Sequence, residues 1–303
     1  MNTNVVDSDS ELGPQRPNKS SLRSMLIRVA FILAGGYLAI LCTLAASETY
    51  LVYPGSKYPK GDWEPTGFDF KEVAFSSQDG TKLVGWYLPS STSQEASGSN
   101  QTVLICHGNA ENVSQSSRSN GDQFRDAIGA DVFEFDYRGY GKSEGSPHEV
   151  GVLADAEAAM QWICEKTGKA PDQIILVGHS LGGGPAVHLA NACGCKALIL
   201  QRTFSSTADV GQLNYPWLPI RYVMRNQYRS SEKIKSCTQP LFQTHPGSDQ
   251  VIPIELAQKL FEASPSKQKM FTTHEGLGHY DPPPRSYWRA IKRFVESVDS
   301  PTS

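Results

Sequence analysis

Gln173-Ile174-Ile175-Leu176-Val177-Gly178-His179-Ser180-Leu181-Gly182-Gly183-Gly184 is the stretch whose reading decides the fold. An apolar, partly β-branched run stops at Gly-x-Ser-x-Gly, and a small-residue helical pattern begins at once. A buried strand, a tight turn and a helix in that order hold the middle serine in a strained backbone conformation. The positions two before and two after it must then be small. Gly178 and Gly182 fill them. Ser180 Oγ would stand above the strand end, and the Leu181 N–H, at the helix start, would point at an oxyanion formed there. Taken alone, the five residues would be an ordinary Gly-rich turn; with the flanking strand and helix, Ser180 is a candidate nucleophile.

Outward from this turn the chain alternates strand and helix signals. Strands are expected at 70–76 and 82–88, around an Asp79-Gly80 hairpin, and then at 102–106, 131–135, 196–200, 239–244 and 269–273. Helices are expected around 117–128 and at 150–166, 254–262 and 287–298, with the helix after Ser180 running to Ala192. The run 102–106 is continuously apolar, as in strands buried on both faces. The fold class is therefore α/β, a mostly parallel doubly wound sheet with helices on both faces and an antiparallel hairpin at its start.

The N-terminal part reads differently. Residues 1–24 form a polar, Asn-, Ser- and Pro-rich tail, expected to be disordered and cytoplasmic. Residues 25–47 are expected to be a transmembrane signal-anchor helix, since Val29 to Ser47 carries no charge and about 20 helical residues cross a bilayer core. Arg16, Lys19, Arg23 and Arg28 precede the apolar run and Glu48 follows it. The positive-inside rule then leaves the N-terminus in the cytoplasm and the remaining chain on the other side. Cleavage near Ala45-Ala46-Ser47, giving a secreted protein, is the alternative. A juxtamembrane linker, 48–67, leads into a domain at 68–298.

A net charge of −3 gives no basic footprint, so nucleic acid is excluded as a partner. No P-loop, dinucleotide fingerprint or His-Glu-x-x-His occurs, and no cofactor or metal is expected. The six cysteines lack metal or disulfide-scaffold spacing and read mostly as buried packing residues. A pairing among Cys164, Cys193, Cys195 and Cys237 stays open.

A serine nucleophile needs a base, and the base an orienting acid. With Ser180 first, both would follow it in the chain. His188 lies two turns into the helix after Ser180 and would point away. His279, in a Gly-rich loop past the last strand, is the favoured base, and His274 its rival. Asp249, in the loop after the penultimate strand, is the favoured acid, although an aspartate before a helix is often a simple cap. Asp209 and Asp281 are weaker. The turn His107-Gly108-Asn109 offers the Asn109 N–H as a second oxyanion donor beside Leu181, with His107 holding the loop.

These pieces together resemble the α/β-hydrolase superfamily, in particular its small membrane-anchored members. The matching stretches are His107-Gly108-Asn109-Ala110, Asp136-Tyr137-Arg138-Gly139-Tyr140-Gly141-Lys142-Ser143, Gly178-His179-Ser180-Leu181-Gly182-Gly183, Asp249 with Val251-Ile252-Pro253, and Gly278-His279. The resemblance implies Ser180 as nucleophile, Asp249 as acid, His279 as base, and Asn109 and Leu181 as the oxyanion hole. Two stretches depart from the family pattern: His245-Pro246-Gly247-Ser248-Asp249, and Gln201-Arg202-Thr203-Phe204, where relatives often carry an acidic residue. The expected function is a serine hydrolase cleaving an ester or thioester of an acyl or lipid-like small molecule. A peptidase or amidase on the same triad and a non-catalytic membrane scaffold are the alternatives. Residues 201–237 lack a regular pattern and read as a small cap-like insertion. Tyr215, Trp217 and Tyr222 in it are either substrate contacts or packing for the cap.

Overall fold

The structure, a computed structural model, describes residues 19–90 and 101–299. The expected disorder of residues 1–18 and the polar connection at 91–100 lie outside the described residues. The chain divides into two compact units, the first ending at Ala46 and the second beginning at Ser47.

The first unit is helical. Helix α1, Lys19–Val52, occupies the interval between Pro17 and Pro54, the prolines nearest its two ends. Its Leu22–Val52 portion is long and apolar enough to cross a membrane, with a mean hydropathy of 2.2. Phe31, Ile32 and Leu33 are 75%, 72% and 67% exposed; a helix apolar on every side and unburied suits lipid, not water. Two boundaries need correction. Residues 19–24 are helical and not tail, because nothing in Lys19–Arg23 breaks a helix. Residues 48–52 are helical and not linker, because the folded domain supplies their partners. Buried Glu48 accepts hydrogen bonds from the Asn226 N–H at 2.7 Å and the Arg225 N–H at 2.8 Å.

The second unit is a three-layer α/β domain. In chain order it contains β1 Lys71–Ser76, β2 Lys82–Leu88, β3 Gln101–Cys106, α2 Val113–Ser116, α3 Asp122–Ile128, β4 Ala130–Phe135, α4 Glu149–Thr167, β5 Ile175–His179, α5 Gly183–Ala192 and β6 Ala197–Gln201. Then follow α6 Thr207–Asn214, α7 Ile220–Val223, α8 Ser230–Lys233, β7 Leu241–Pro246, α9 Ile254–Ala263, β8 Lys269–His274 and α10 Arg285–Asp299. The sheet order is β1-β2-β4-β3-β5-β6-β7-β8. The β1–β2 and β2–β4 pairs are antiparallel, and the remaining pairs are parallel. The chain passes from β3 to β4 on one side and returns to β5 on the other, so the order reverses between β3 and β5. Their carboxyl ends open a crevice there, the place where open α/β sheets bind ligands.

Strands in the middle of this sheet are covered on both faces, which explains their unbroken apolar runs. Leu104, Leu176, Leu198 and Leu200 pack with Val152, Met160, Val187 and Leu260 on one face. Val103, Ile105, Ile175, Val177 and Ile199 pack with Phe124, Ile291, Phe294 and Val295 on the other. Segment 201–237 holds α6, α7 and α8, none longer than eight residues. Helices this short cover too few turns for a 3.6-residue period to register in sequence. All six cysteines are free thiols. Cys106, Cys195 and Cys237 are buried, but Cys42 and Cys193 are exposed and Cys164 is half-buried.

The turn after β5 is packed against β3. A Cβ on Gly182 would lie 1.9 Å from the Cys106 carbonyl oxygen, and one on Gly178 would lie 2.7 Å from the Gly182 oxygen. Neither backbone atom can swing aside as a side chain could. Gly182→Ala should therefore cost about 1–3 kcal/mol or more, lowering the melting temperature by roughly 5 °C. Thermal denaturation followed by circular dichroism would measure this, and an unshifted transition would show that β3 and the turn are not in contact.

Candidate active site

The turn places Ser180 at the crevice. Its φ is +52°, a left-handed conformation that costs a non-glycine residue about 1–3 kcal/mol. The surroundings hold it there. The Thr203 hydroxyl donates to the Ser180 carbonyl at 2.8 Å, and the turn runs straight into a 3₁₀ turn, Ser180–Gly182, and then α5. Ser180 Oγ lies 3.1 Å from His279 Nε2. On the other side of the ring, His279 Nδ1 lies 2.7 Å from Asp249 Oδ2. The structure thus brings together a serine after β5, an aspartate after β7 and a histidine after β8.

Asp249 does not cap α9, whose first residue is Ile254 with Pro253 before it. Its Oδ1 instead accepts the Val251 and Ile252 N–H groups, at 2.9 and 2.8 Å. Those bonds fold the loop around the carboxylate and leave Oδ2 for histidine. A second histidine also meets Oδ2: buried His245 Nε2 is 3.3 Å away and 2.8 Å from the Ile252 carbonyl. Burial alone would raise the Asp249 pKa. The hydrogen bonds from His245, His279 and the Ile252 N–H outweigh it and hold the carboxylate well below its ordinary range. His245 is thus a support for the acid.

The other sequence candidates fall elsewhere. His188 bonds Glu157 on α4 at 2.7 Å. His274 ends β8, and burial and the nearby Arg202 charge lower its pKa. Asp209 accepts from Ser205, Arg221 and Lys259. Asp281 accepts the Gly278 N–H and so shapes the His279 loop. His107 is fully buried, with Nδ1 2.7 Å from the Gly108 carbonyl and Nε2 3.6 Å from Asp136. It holds its loop, as its place before the serine suggested. The Asn109 side chain donates to the Val52 carbonyl, and the Tyr140 hydroxyl to the Asn109 carbonyl. Among the described residues the backbone N–H groups of Asn109 and Leu181 donate to no protein acceptor.

Two further groups had no sequence signal strong enough to find them. Glu111 accepts the Gly108 N–H at 3.1 Å and lies 3.2 Å from His179 Nδ1. Burial pushes its pKa up, but His179, His107 and the Gly108 N–H pull it down further, to about 2. Arg202, at the end of β6, has φ +52° and donates to the backbone carbonyls of His279 and Asp281. It braces the loop that carries His279. Its only trace in the sequence is the departure at Gln201-Arg202-Thr203-Phe204.

A cleft of about 280 Å³ opens beside His279, with Glu111, His179, Arg202, His274 and Tyr287 in its walls. Tyr215, Trp217 and Tyr222 are not among its lining residues. They are 51%, 57% and 92% exposed on the outside of the 201–237 segment, because Leu218 and Tyr228 take the buried positions there. Among the described residues no group of three or more His, Cys, Asp or Glu side chains is arranged to hold a metal ion.

The depressed pKa of Asp249 makes its carboxylate stabilising when ionised. That contribution is fully present above the unfolded carboxyl pKa of about 4 and is lost as pH falls towards the folded value. Urea unfolding of Asp249→Asn should therefore show a stability deficit that is constant above about pH 5 and narrows below about pH 4. A deficit independent of pH would mean that the carboxylate charge is not what the two histidines recognise.

Comparison with known proteins agrees with this architecture. A family model described as alpha/beta hydrolase fold matches residues 101–275. An uncharacterized protein of Mycobacterium tuberculosis is 34% identical over 273 residues, covering 89% of this chain and 94% of that one. An uncharacterized membrane protein of Saccharomyces cerevisiae is 29% identical, covering 89% and 98%. Among solved structures, an esterase of Pyrococcus furiosus superposes with a TM-score of 0.62 at 20% identity, covering 80% of this chain and 98% of that one. Acetyl xylan esterase 1 from Thermoanaerobacterium superposes with the same score at 16% identity, covering 80% and 87%. With its sheet order, its strained turn after β5 and a family match over more than half its length, the chain belongs to the α/β-hydrolase fold family.

Proposed function

We propose that the protein is a serine hydrolase that cleaves esters or thioesters through an acyl-enzyme. The observation that carries this reading is the relay Asp249 Oδ2···His279 Nδ1 and His279 Nε2···Ser180 Oγ, at 2.7 and 3.1 Å. A proton on Nδ1, held by the Asp249 carboxylate, leaves Nε2 as an acceptor. Nε2 takes the Ser180 proton as Oγ bonds to the substrate carbonyl carbon, and Asp249 offsets the imidazolium charge. The Asn109 and Leu181 N–H groups, free of protein acceptors, receive the oxyanion. His279 then protonates the departing alkoxide or thiolate. Water repeats the attack on the acyl-enzyme, and Ser180 is regenerated.

The cleft beside His279 bears on the leaving-group side of the substrate. At about 280 Å³ it is smaller than the usual drug-sized pocket of about 300–1,000 Å³. The exposed aromatics of 201–237 do not extend it, so it suits a small leaving group. Membrane association is part of the proposal, supported by the apolar Leu22–Val52 run and by the name of the yeast relative. We read the N-terminus as cytoplasmic and the domain as lying on the opposite side. Glu48 does not weigh against that orientation, because its charge is engaged by Arg225.

The full chain should react with a fluorophosphonate probe, and Ser180→Ala should abolish the reaction; labelling that survives Ser180→Ala would overturn the assignment. Asp249→Asn should lower turnover of p-nitrophenyl butyrate by roughly 10³–10⁴-fold. Near-normal turnover would move the acid elsewhere. A preference for aminoacyl-anilides over short acyl esters would replace esterase by amidase action.

A further inference from the structure

The cleft beside His279 contains more hydrogen-bond donors than the proposed acyl transfer uses. Arg202 is half-buried there, and among the described residues its guanidinium bonds only to two backbone carbonyls. The nearby carboxylates already have donors of their own. Glu111 holds the Gly108 N–H and His179, Asp249 holds His279 and His245, and Asp281 holds the Gly278 N–H. Among the described residues none of them pairs with Arg202, so its charge has no dedicated counter-ion.

Two further side chains, His274 and Tyr287, line the same cleft. His274 Nε2 is buried and, among the described residues, has no hydrogen-bond partner. Burial, and then the Arg202 charge, hold its pKa down, which favours the neutral ring, and the Nε2–H tautomer of that ring is a donor. Tyr287 is 2% exposed. Its hydroxyl accepts a hydrogen bond from Gln201, and the hydroxyl proton has no acceptor among the described residues. The rings of His274 and Tyr287 lie 5.9 Å apart, edge to face. Unmet buried donors cost about 1–3 kcal/mol each, and at the wall of a cleft a ligand or an ordered water can supply the acceptor.

The position of the cleft assigns it to one side of the substrate. His279 is in its wall, and in the proposed mechanism His279 protonates the leaving group. The cleft therefore receives the alcohol or thiol portion. We propose that it is a subsite for an anionic leaving group, an alcohol or thiol bearing a phosphate or a carboxylate, with Arg202, His274 and Tyr287 as its donors. This rests on the hydrolase reading above and specifies the substrate class within it. Arg202 then has two functions: it braces the His279 loop, and it ties that brace to occupancy of the subsite.

The test uses the full-length protein and matched butyryl esters. These are butyryl-glycerol 3-phosphate against monobutyryl-glycerol, and butyryl-glycolate against its methyl ester, followed by butyrate release. The anionic member of at least one pair should have a kcat/KM about 10-fold higher, and the two pairs separate phosphate from carboxylate. Tyr287→Phe, which removes one hydroxyl, should move that ratio towards one. Arg202→Gln should abolish it while also slowing both esters through the loosened loop, so the ratio is the diagnostic quantity. As a second readout, glycerol 3-phosphate or glycolate should slow fluorophosphonate labelling of Ser180, and glycerol should not. Equal rates within both pairs, or labelling unaffected by both anions, would overturn the subsite and leave the hydrolase reading standing. Absence of any Ser180 labelling would overturn that reading itself.

Discussion

The contact between the glycines after β5 and the end of β3 is the constraint on which the rest depends. Gly182 lies so close to the Cys106 carbonyl that no side chain fits, and the same turn carries the backbone through φ +52° at Ser180. A relaxed turn would let the serine face the helix or the solvent. The strained turn aims Oγ into the crevice where β3 and β5 diverge, and the sheet on either side supplies the energy that keeps it strained. The serine's position is therefore a property of the packed sheet rather than of the loop.

Around that fixed point the electrostatics are arranged from two directions. From β7, Asp249 is held by two backbone N–H groups on one oxygen and two histidines on the other, so it stays ionised and oriented. From β6, a second strained residue, Arg202, holds the carbonyls of the His279 loop. The histidine is thus fixed through its ring by one strand and through its backbone by another. Neither hold alone would fix both the distance to Ser180 and the plane of the ring. A cation used as a brace at the edge of a cleft also leaves part of its field directed into that cleft.

Much of the fold could be read from residue patterns, for reasons visible in the structure. Strands buried on both faces must be apolar without interruption, so β3 and β5 stand out; long helices such as α4 and α10 show their period. Ser180, His279 and Asp249 stand out as candidates because each follows a strand in a loop with its own turn residues. The pieces missed were those whose partners are remote in sequence. Glu48 ends α1 in the domain only because Arg225 and Asn226 receive it. The contact of His245 with Asp249 left no trace in the sequence, because sequence shows chain order and not which side of a carboxylate a ring approaches. Tyr215, Trp217 and Tyr222 read as substrate contacts or cap packing because aromatic content indicates burial in general, whereas Leu218 and Tyr228 occupy the buried sites in this segment.

The sequence by itself determined the sheet's class, the strained serine turn and the apolar N-terminal helix. Those features depend on local sterics and on the period of apolar residues, both written along the chain. Only the tertiary structure decided that Asp249 has two histidines, that Arg202 grips the His279 loop, and that the cleft is walled by β6, β8 and α10 rather than by the irregular segment. These are contacts between side chains tens of residues apart. Their geometry follows from how the sheet twists and how its loops pack, which no local pattern records.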